Sequence, residues 1–305
     1  MNPGWALDRL DQTYTFLNNQ YNYPYDGTGR KIYILDTGLN LANNLVSNEF
    51  GGRATILYDV NGENGNDCYG HGTSVASAAA GKVYGVAKNA TLLVGKISVQ
   101  CSGNAAVSTM IMAFNWLASN APRGSIVNLS FGVSGCSAFV DTALEKAIRA
   151  AYNSGVIVVI AAGNYGCDTA NSSFTKLPEA FVVGASQNKF LYNFQKDAMA
   201  VWSSTQSTNY GANVAGFAPG QDVLLMSYTG NPVASGGTSF AAPYVAGLFA
   251  AGCHATVNFC DTIVNAGVAY QALKNNAVTG SVVTSTNSST LPAGTASRFF
   301  VRNAW

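Results

Sequence analysis

The chain has 305 residues, 48% of them hydrophobic and only 10% charged, with 16 Lys and Arg against 15 Asp and Glu and a formal net charge of +1. So apolar a composition offsets the entropy of ordering a chain, which excludes disorder. Near-neutrality offers phosphates no field that would release counterions, so no nucleic-acid partner is expected. No fixed-period repeat is found, which sets aside fibrous and solenoid folds. The two histidines, His71 and His254, are the only ones available to imidazole chemistry.

In chain order, Met1 to Trp5 lacks the charged and apolar regions of a signal peptide. Lys31–Leu35, Thr91–Ile97, Ser125–Phe131, Val156–Ala161 and Phe181–Ala185 are apolar runs rich in β-branched residues and predict strands. Between and after them Thr73–Ala80, Ala106–Ser119, Ser137–Ser154 and Ser239–Cys253 predict helices. Continuous apolar strands alternating with helices imply an α/β fold whose parallel sheet is covered on both faces. In such a sheet, sites form at the carboxyl ends of strands and the amino ends of the helices that follow. The stretch from Ser281 to Trp305, polar and then apolar at Phe299 to Val301, is expected to add edge strands to the same domain, and no linker divides the chain.

No run reaches the roughly 18 apolar residues that a membrane span needs, so no membrane is expected. Six cysteines, Cys68, Cys101, Cys136, Cys167, Cys253 and Cys260, include no CxxC pair that would suggest zinc. They fit a disulfide framework in an oxidising compartment, or else buried thiols. Asn89, Asn171 and Asn287 each open an N-glycosylation triplet.

Three segments fall where the architecture predicts a site. Asp36 ends a strand and is followed by Thr37-Gly38; alone it reads as a cap or a turn former. His71 lies between Gly70 and Gly72 at the start of a small-residue helix, with the backbone clearance that two glycines give. Ser239 follows Gly236-Gly237-Thr238 and opens an apolar helix, with Pro243 near its first turn. Together, in the order Asp, His, Ser, they supply the nucleophile, the base and the carboxylate that orients the base. The Ser239 context is not Gly-x-Ser-x-Gly, which excludes an α/β-hydrolase elbow.

On these motifs the sequence resembles the subtilisin-like serine peptidases, and most of all their proteinase K and aqualysin branch. The likeness rests on Leu35–Gly38, Gly70–Thr73, Gly237–Pro243 and the amino-terminal run Trp5–Gln12, and it extends from Trp5 to about Gly280. It implies a three-layer α/β fold, with a central mostly parallel sheet flanked by helices, in one peptidase domain over residues 1–305. No inhibitory prodomain is visible upstream of Trp5, so either a mature form or a protein that folds without one is expected. The expected function is that of a secreted, monomeric serine endopeptidase acting on proteins or peptides through Asp36, His71 and Ser239. A specialised processing peptidase or peptide ligase of the same fold is the alternative within enzymes, and a pseudoprotease binding module is the alternative outside them.

The resemblance makes Asn164, in Ala161-Ala162-Gly163-Asn164, the side-chain donor of an oxyanion hole shared with the Ser239 amide. It places extended substrate between Gly103-Asn104-Ala105 and Ser130-Phe131-Gly132, with Ala161 to Gly163 completing the wall of the P1 pocket. None of these residues is charged, so apolar or aromatic P1 residues are expected. Cys68 and Cys101 stand where the aqualysin group has a disulfide. Cys253 and Cys260 are close enough to close a small loop, which leaves Cys136 with Cys167 among 15 formal pairings. Asp8, Asp11, Gln12, Asn18 and Gln20 resemble an amino-terminal calcium site, with Asn18 where related chains can carry Asp. The acidic loop Asp59 to Asp67 is a second candidate, or simply the loop that delivers His71, and Gln187 stands where a further family site has Asp. His254, with no acidic or glycine neighbours in sequence, is expected to be structural.

Overall fold

The computed structural model describes residues 4–62, 64–191, 194–255, 259–262, 265–284 and 291–300. Among the positions singled out above, Met1 to Pro3, Glu63, the Asn287 triplet and Val301 to Trp305 lie outside the described residues. The strands in chain order are β1 Lys31–Asp36, β2 Ala54–Asp59, β3 Thr91–Lys96, β4 Ile126–Leu129, β5 Ile157–Ala161, β6 Phe181–Leu191, β7 Phe194–Met199, β8 Val214–Pro219, β9 Val223–Met226, β10 Pro232–Ser235, β11 Val278–Thr279, β12 Val282–Val283 and β13 Arg298–Phe299. The helices are α1 Gly4–Leu10, α2 Asn44–Phe50, α3 His71–Ala80, α4 Val107–Asn120, α5 Thr142–Asn153, α6 Thr238–Ala255, α7 Phe259–Thr262 and α8 Gly267–Asn275.

One mixed sheet runs in the order β11-β13-β8-β6-β5-β4-β1-β3-β2, with β7 and β12 branching from β6. Every pairing from β8 to β2 along this path is parallel. The cause is in the sequence: β1, β4 and β5 are buried along nearly their whole length, as strands covered on both faces must be. α3 packs against α6, and α4 against α5, so helices flank the sheet. β1 lies between β3 and β4, so successive connections leave it in opposite directions. That is the switch point at which a crevice opens beyond the carboxyl ends of the strands. Asp36 is the last residue of β1, and Ser130 follows directly on β4.

The strongly patterned elements lie where the sequence places them. α5 differs: it starts at Thr142 rather than Ser137, because the Asp141 side chain accepts from the N–H groups of Ala143 and Leu144 and so caps the helix there. β12 adds a strand at the margin of the sheet beside β7, whereas β13 enters it between β11 and β8. α6 is buried on all sides from Phe240 to Cys253, which Ala and Gly allow by letting neighbours approach closely. At Gly247 a Cβ would come within 2.6 Å of Val86 Cβ and 2.7 Å of the Ala79 carbonyl.

Candidate active site

Asp36, at the end of β1, is fully buried. Its Oδ1 accepts from the Thr37 N–H at 2.8 Å and lies 2.7 Å from His71 Nδ1. A buried carboxylate facing Nδ1 fixes the tautomer with the proton on that nitrogen and leaves Nε2 as the basic atom. The glycines beside His71 do more than clear space for the imidazole. Gly72 sits so tightly on the turn after β1 that a Cβ would lie 2.3 Å from the Gly38 carbonyl. Its N–H donates to Thr37 Oγ1 at 2.7 Å. The clearance therefore serves the seating of the helix on the Asp36 turn as well as access to the imidazole.

In the sequence Asp67 is one residue of an acidic loop. It is fully buried at the start of α3. Oδ1 accepts from Thr37 Oγ1 at 2.9 Å, Tyr69 N at 3.1 Å and Gly70 N at 2.7 Å. Oδ2 accepts from Thr73 N at 2.8 Å and Thr73 Oγ1 at 2.7 Å. One carboxylate thus ties the His71 helix to the Asp36 turn. Asp59 is similarly engaged by Asn61 N at 2.8 Å and Gly65 N at 2.8 Å, so Asp59 and Asp67 bind this loop's own backbone and the segment that delivers His71. Burial alone would lower the His71 pKa; the charge and hydrogen bond of Asp36, helped by the charge of Asp67, outweigh it and hold the imidazole above its ordinary value of 6.5.

Ser239 is the second residue of α6, and Pro243 falls in the second turn rather than the first. A proline there has no N–H to give the carbonyl four residues back, which is that of Ser239. The Ser130 hydroxyl fills the gap, donating to Ser239 O at 2.8 Å, while Ser239 Oγ donates to Ser130 O at 3.3 Å. The helix start is thereby locked to the segment after β4. Asn164 is oriented from the same helix: its Oδ1 accepts from Thr238 N and Thr238 Oγ1, both at 2.9 Å, which leaves Nδ2 as its remaining donor. Asn209, unnoticed in the sequence, braces the Asn164 loop. Its Oδ1 accepts from Tyr165 N at 3.0 Å and Cys167 N at 2.9 Å, and its Nδ2 donates to Ala162 O at 2.8 Å. Neither Ser130 nor Asn209 carried a local signal for these roles, apart from the proline that orphans the Ser239 carbonyl.

His71, Ser239 and Asn164 all line one cleft of about 350 Å³. Gly103, Ser130, Phe131, Gly132, Ala161 and Gly163 line it too; Asn104 and Ala105 do not, lying behind Gly103 in a hairpin closed by the Val99 N to Asn104 O bond at 2.9 Å. Tyr69 and Asp168 are lining residues absent from the sequence reading. Asp168 Oδ1 accepts from Ala170 N at 2.9 Å and packs where a Cβ on Gly211 would lie, 2.5 Å away. Cys68–Cys101, Cys136–Cys167 and Cys253–Cys260 are disulfides. His254 does have an acidic neighbour, supplied by the fold: Asp26 Oδ1 lies 3.3 Å from its Nδ1.

The amino-terminal residues Asp8, Asp11, Gln12, Asn18 and Gln20 belong to one hydrogen-bonded turn. Asp8 and Asp11 are buried, and residues 18–22 wrap over them. Asp8 accepts from the Gln12 side chain and from the N–H groups of Asn18 at 3.1 Å and Asn19 at 2.6 Å. Asp11 accepts from Asn22 N at 2.6 Å, and Asn18 Oδ1 accepts from Gln20 N at 2.9 Å. Among the described residues no group of three His, Cys, Asp or Glu side chains forms a metal cluster. No described helix is long and apolar enough to cross a membrane.

Comparison with known proteins agrees with this geometry. The chain is 39% identical over 251 residues to alkaline serine exoprotease A of Vibrio alginolyticus, covering 82% of this chain and 43% of the relative. It is 36% identical over 250 residues to an extracellular serine proteinase of a Thermus species, covering 81% and 56%. The chain thus spans about half the length of these curated relatives. Among solved structures, a cold-adapted subtilisin-like serine proteinase superposes with a TM-score of 0.82 at 32% identity, over 99% of both chains. The subtilase family model, Peptidase S8, matches residues 27–289. A sheet that opens at β1, a histidine helix seated on its aspartate turn and this extent of likeness lead to one conclusion: the chain belongs to the subtilase family.

Proposed function

We propose that the chain is a serine endopeptidase that acts outside the cell on proteins and peptides, with Asp36, His71 and Ser239 as its triad. The observation that carries this reading is the meeting of three segments, distant in sequence, at one cleft, with the 2.7 Å contact of Asp36 on His71 Nδ1 at its centre. In the proposed reaction Ser239 Oγ turns from Ser130 O to His71 Nε2, gives up its proton there and attacks the substrate carbonyl. Asp36 keeps the imidazole in the right tautomer and stabilises it once it is charged. Asn164 Nδ2 and the Ser239 N–H receive the developing oxyanion, and loss of one such donor typically costs about 10²–10³ in rate. His71 then protonates the leaving amine, and water releases the acyl group from Ser239.

Extended substrate would bind between Gly103 and the 130–132 segment, its P1 side chain entering between residues 130–137 and 161–175. The one carboxylate among these lining residues, Asp168, is capped and turned onto Gly211, which favours apolar or aromatic P1 residues. Disulfides and the extracellular name of the Thermus relative support secretion. We further assign Asp8 and Asp11, with Gln12, Asn18 and Gln20, to a structural calcium ion. The fit rests on two buried carboxylates side by side in an oxygen-rich loop, whose mutual repulsion a hard cation would relieve.

The test is labelling with a serine-directed peptide phosphonate that carries Phe at P1, alongside hydrolysis of a Phe-containing peptide. A single adduct on Ser239 is expected, and Ser239→Ala should lose both adduct and cleavage while keeping its thermal midpoint. Cleavage that persists in Ser239→Ala would refute the assignment.

A further inference from the structure

The cleft is walled by two runs of chain. Residues 130–137, after β4, form one side, and 161–175, after β5, form most of the other. The two walls are not equally supported. The second is held by Asn209, whose side chain binds Ala162, Tyr165 and Cys167, and by the bond from Asn209 N to Gly163 O at 2.9 Å. The first is hydrogen-bonded only at its ends, with Val133, half-buried against the core, as its one apolar contact between them among the described residues. Ser130 is tied to Ser239. Phe139 donates its N–H to Asn171 O at 2.9 Å, accepts from Ser173 N at 2.8 Å and stacks on Phe174 with ring centroids 5.3 Å apart. Among the described residues, no backbone hydrogen bond reaches 132–138. Gly132 and Gly135 have nothing within 4 Å of where a Cβ would sit. Two glycines in open space, in a segment without backbone bonds, give a wall with low intrinsic stiffness.

One covalent tie crosses from this wall to the other. Cys136, exposed near its outer end, is bonded to buried Cys167, whose own N–H is fixed by Asn209. We propose that the Cys136–Cys167 disulfide sets the width of the P1 pocket and so decides which P1 side chains the enzyme accepts. The inference rests on the reading that this cleft receives the P1 residue. The bond touches neither Asp36, His71, Ser239 nor Asn164, so it acts on positioning and leaves the chemical step alone. With the bond intact the glycine-containing wall stands at one distance from the Asn209-braced wall. Without it the wall drifts, and large side chains lose contacts that a small one never made.

The experiment compares wild type with Cys136→Ala/Cys167→Ala on tetrapeptide anilides that differ only at P1: Ala, Leu and Phe. A pocket contact worth one methylene already discriminates about 10-fold or more. The double variant is therefore expected to lower the Phe-to-Ala ratio of kcat/KM by about tenfold, with the loss falling mainly on KM for Phe. A ratio within twofold of wild type, in a variant that labels fully at Ser239, would overturn the proposal. Should that variant fail to fold, the wild-type protein decides through its crystal structure with a peptide boronate carrying Phe at P1. The ring in van der Waals contact with residues 133–136 supports the clamp, and a ring that makes no contact with them overturns it. Failure of the underlying peptidase reading looks different, since oxidised wild type would then hydrolyse none of the substrates and take no phosphonate.

Discussion

At the residue scale the site is governed by two carboxylates. Asp36 addresses the imidazole directly, and Asp67 acts through the backbone and through its charge. Because the folded His71 pKa lies above 6.5, the protonated imidazole favours the folded state at low pH, and that contribution fades as pH rises through the raised value. The proposed activity has the opposite requirement, since in it only neutral His71 can accept the Ser239 proton. The profile of kcat/KM against pH should therefore rise through one ionisation above 6.5 and plateau on the alkaline side. Asp67→Asn removes one of the raising charges and should move that ionisation down, with activity persisting. Asp36→Asn removes the larger influence and should cost about 10⁴ in kcat as well. An Asp67→Asn profile that coincides with wild type would show that Asp67 is purely structural. The three proposed triad residues stand out in the sequence because each sits in a short motif shaped by its own backbone, whereas Asn164 is marked only by the family resemblance and alone reads as a turn residue. Ser130, Asn209 and Asp67 do not stand out, because their roles depend on partners 109, 42–47 and 30 residues away in sequence.

At the scale of elements, legibility followed burial only where β-branched residues fill the strand; β8, buried throughout but reading VAGFAP, is hidden by its Gly and Pro. β1, β4 and β5, hidden on both faces, announce themselves as uninterrupted apolar runs. β2 is a half-exposed edge strand and was not predicted, nor were β9 and β10, which form a separate two-stranded ribbon. α1 is a seven-residue helix, too short to show periodicity, and it was visible only as a family-like run. It owes its position to what binds it. Residues 18–22 fold back over Asp8 and Asp11, and bound calcium would join loop and helix into one unit. Calcium present at about 100 times its Kd would contribute about 2.7 kcal/mol, so chelation should lower the thermal midpoint by about 4 °C for a chain of this size. The readout is a melting curve with and without chelator, in the Ser239→Ala background to prevent self-digestion. Asp8→Asn/Asp11→Asn should melt at the same temperature in both. An unchanged wild-type midpoint under chelation would remove calcium from the account.

At the scale of the whole molecule, low charge makes each buried ion pair consequential, and one pair joins widely separated parts of the chain. Arg9 on α1 is 1% exposed; its Nε lies 2.9 Å from Asp197 Oδ1 and its Nη2 2.6 Å from Asp197 Oδ2, on β7. Its guanidinium carbon lies 4.2 Å from the ring centroid of Phe299 on β13. The fork of two parallel bonds with an aromatic face beneath is a geometry lysine could not reproduce. Burial raises the Asp197 pKa, and the charge and hydrogen bonds of Arg9 oppose that without overcoming it. Arg9→Met would strand a buried carboxylate, and breaking a buried pair in this way costs about 3–5 kcal/mol. Arg9→Met/Asp197→Leu removes both charges and should recover most of the loss, because the desolvation of two ions disappears with their attraction. The sign with pH follows from the raised folded pKa. Protonated Asp197 suits the buried site, so the Arg9→Met defect should shrink in acid and grow as pH rises through the folded value. Thermal melts of the single and double variants at acidic and alkaline pH, again on Ser239→Ala, measure this. A single-variant deficit that stays constant across pH would mean that Arg9 acts through its packing on Phe299 rather than through its charge.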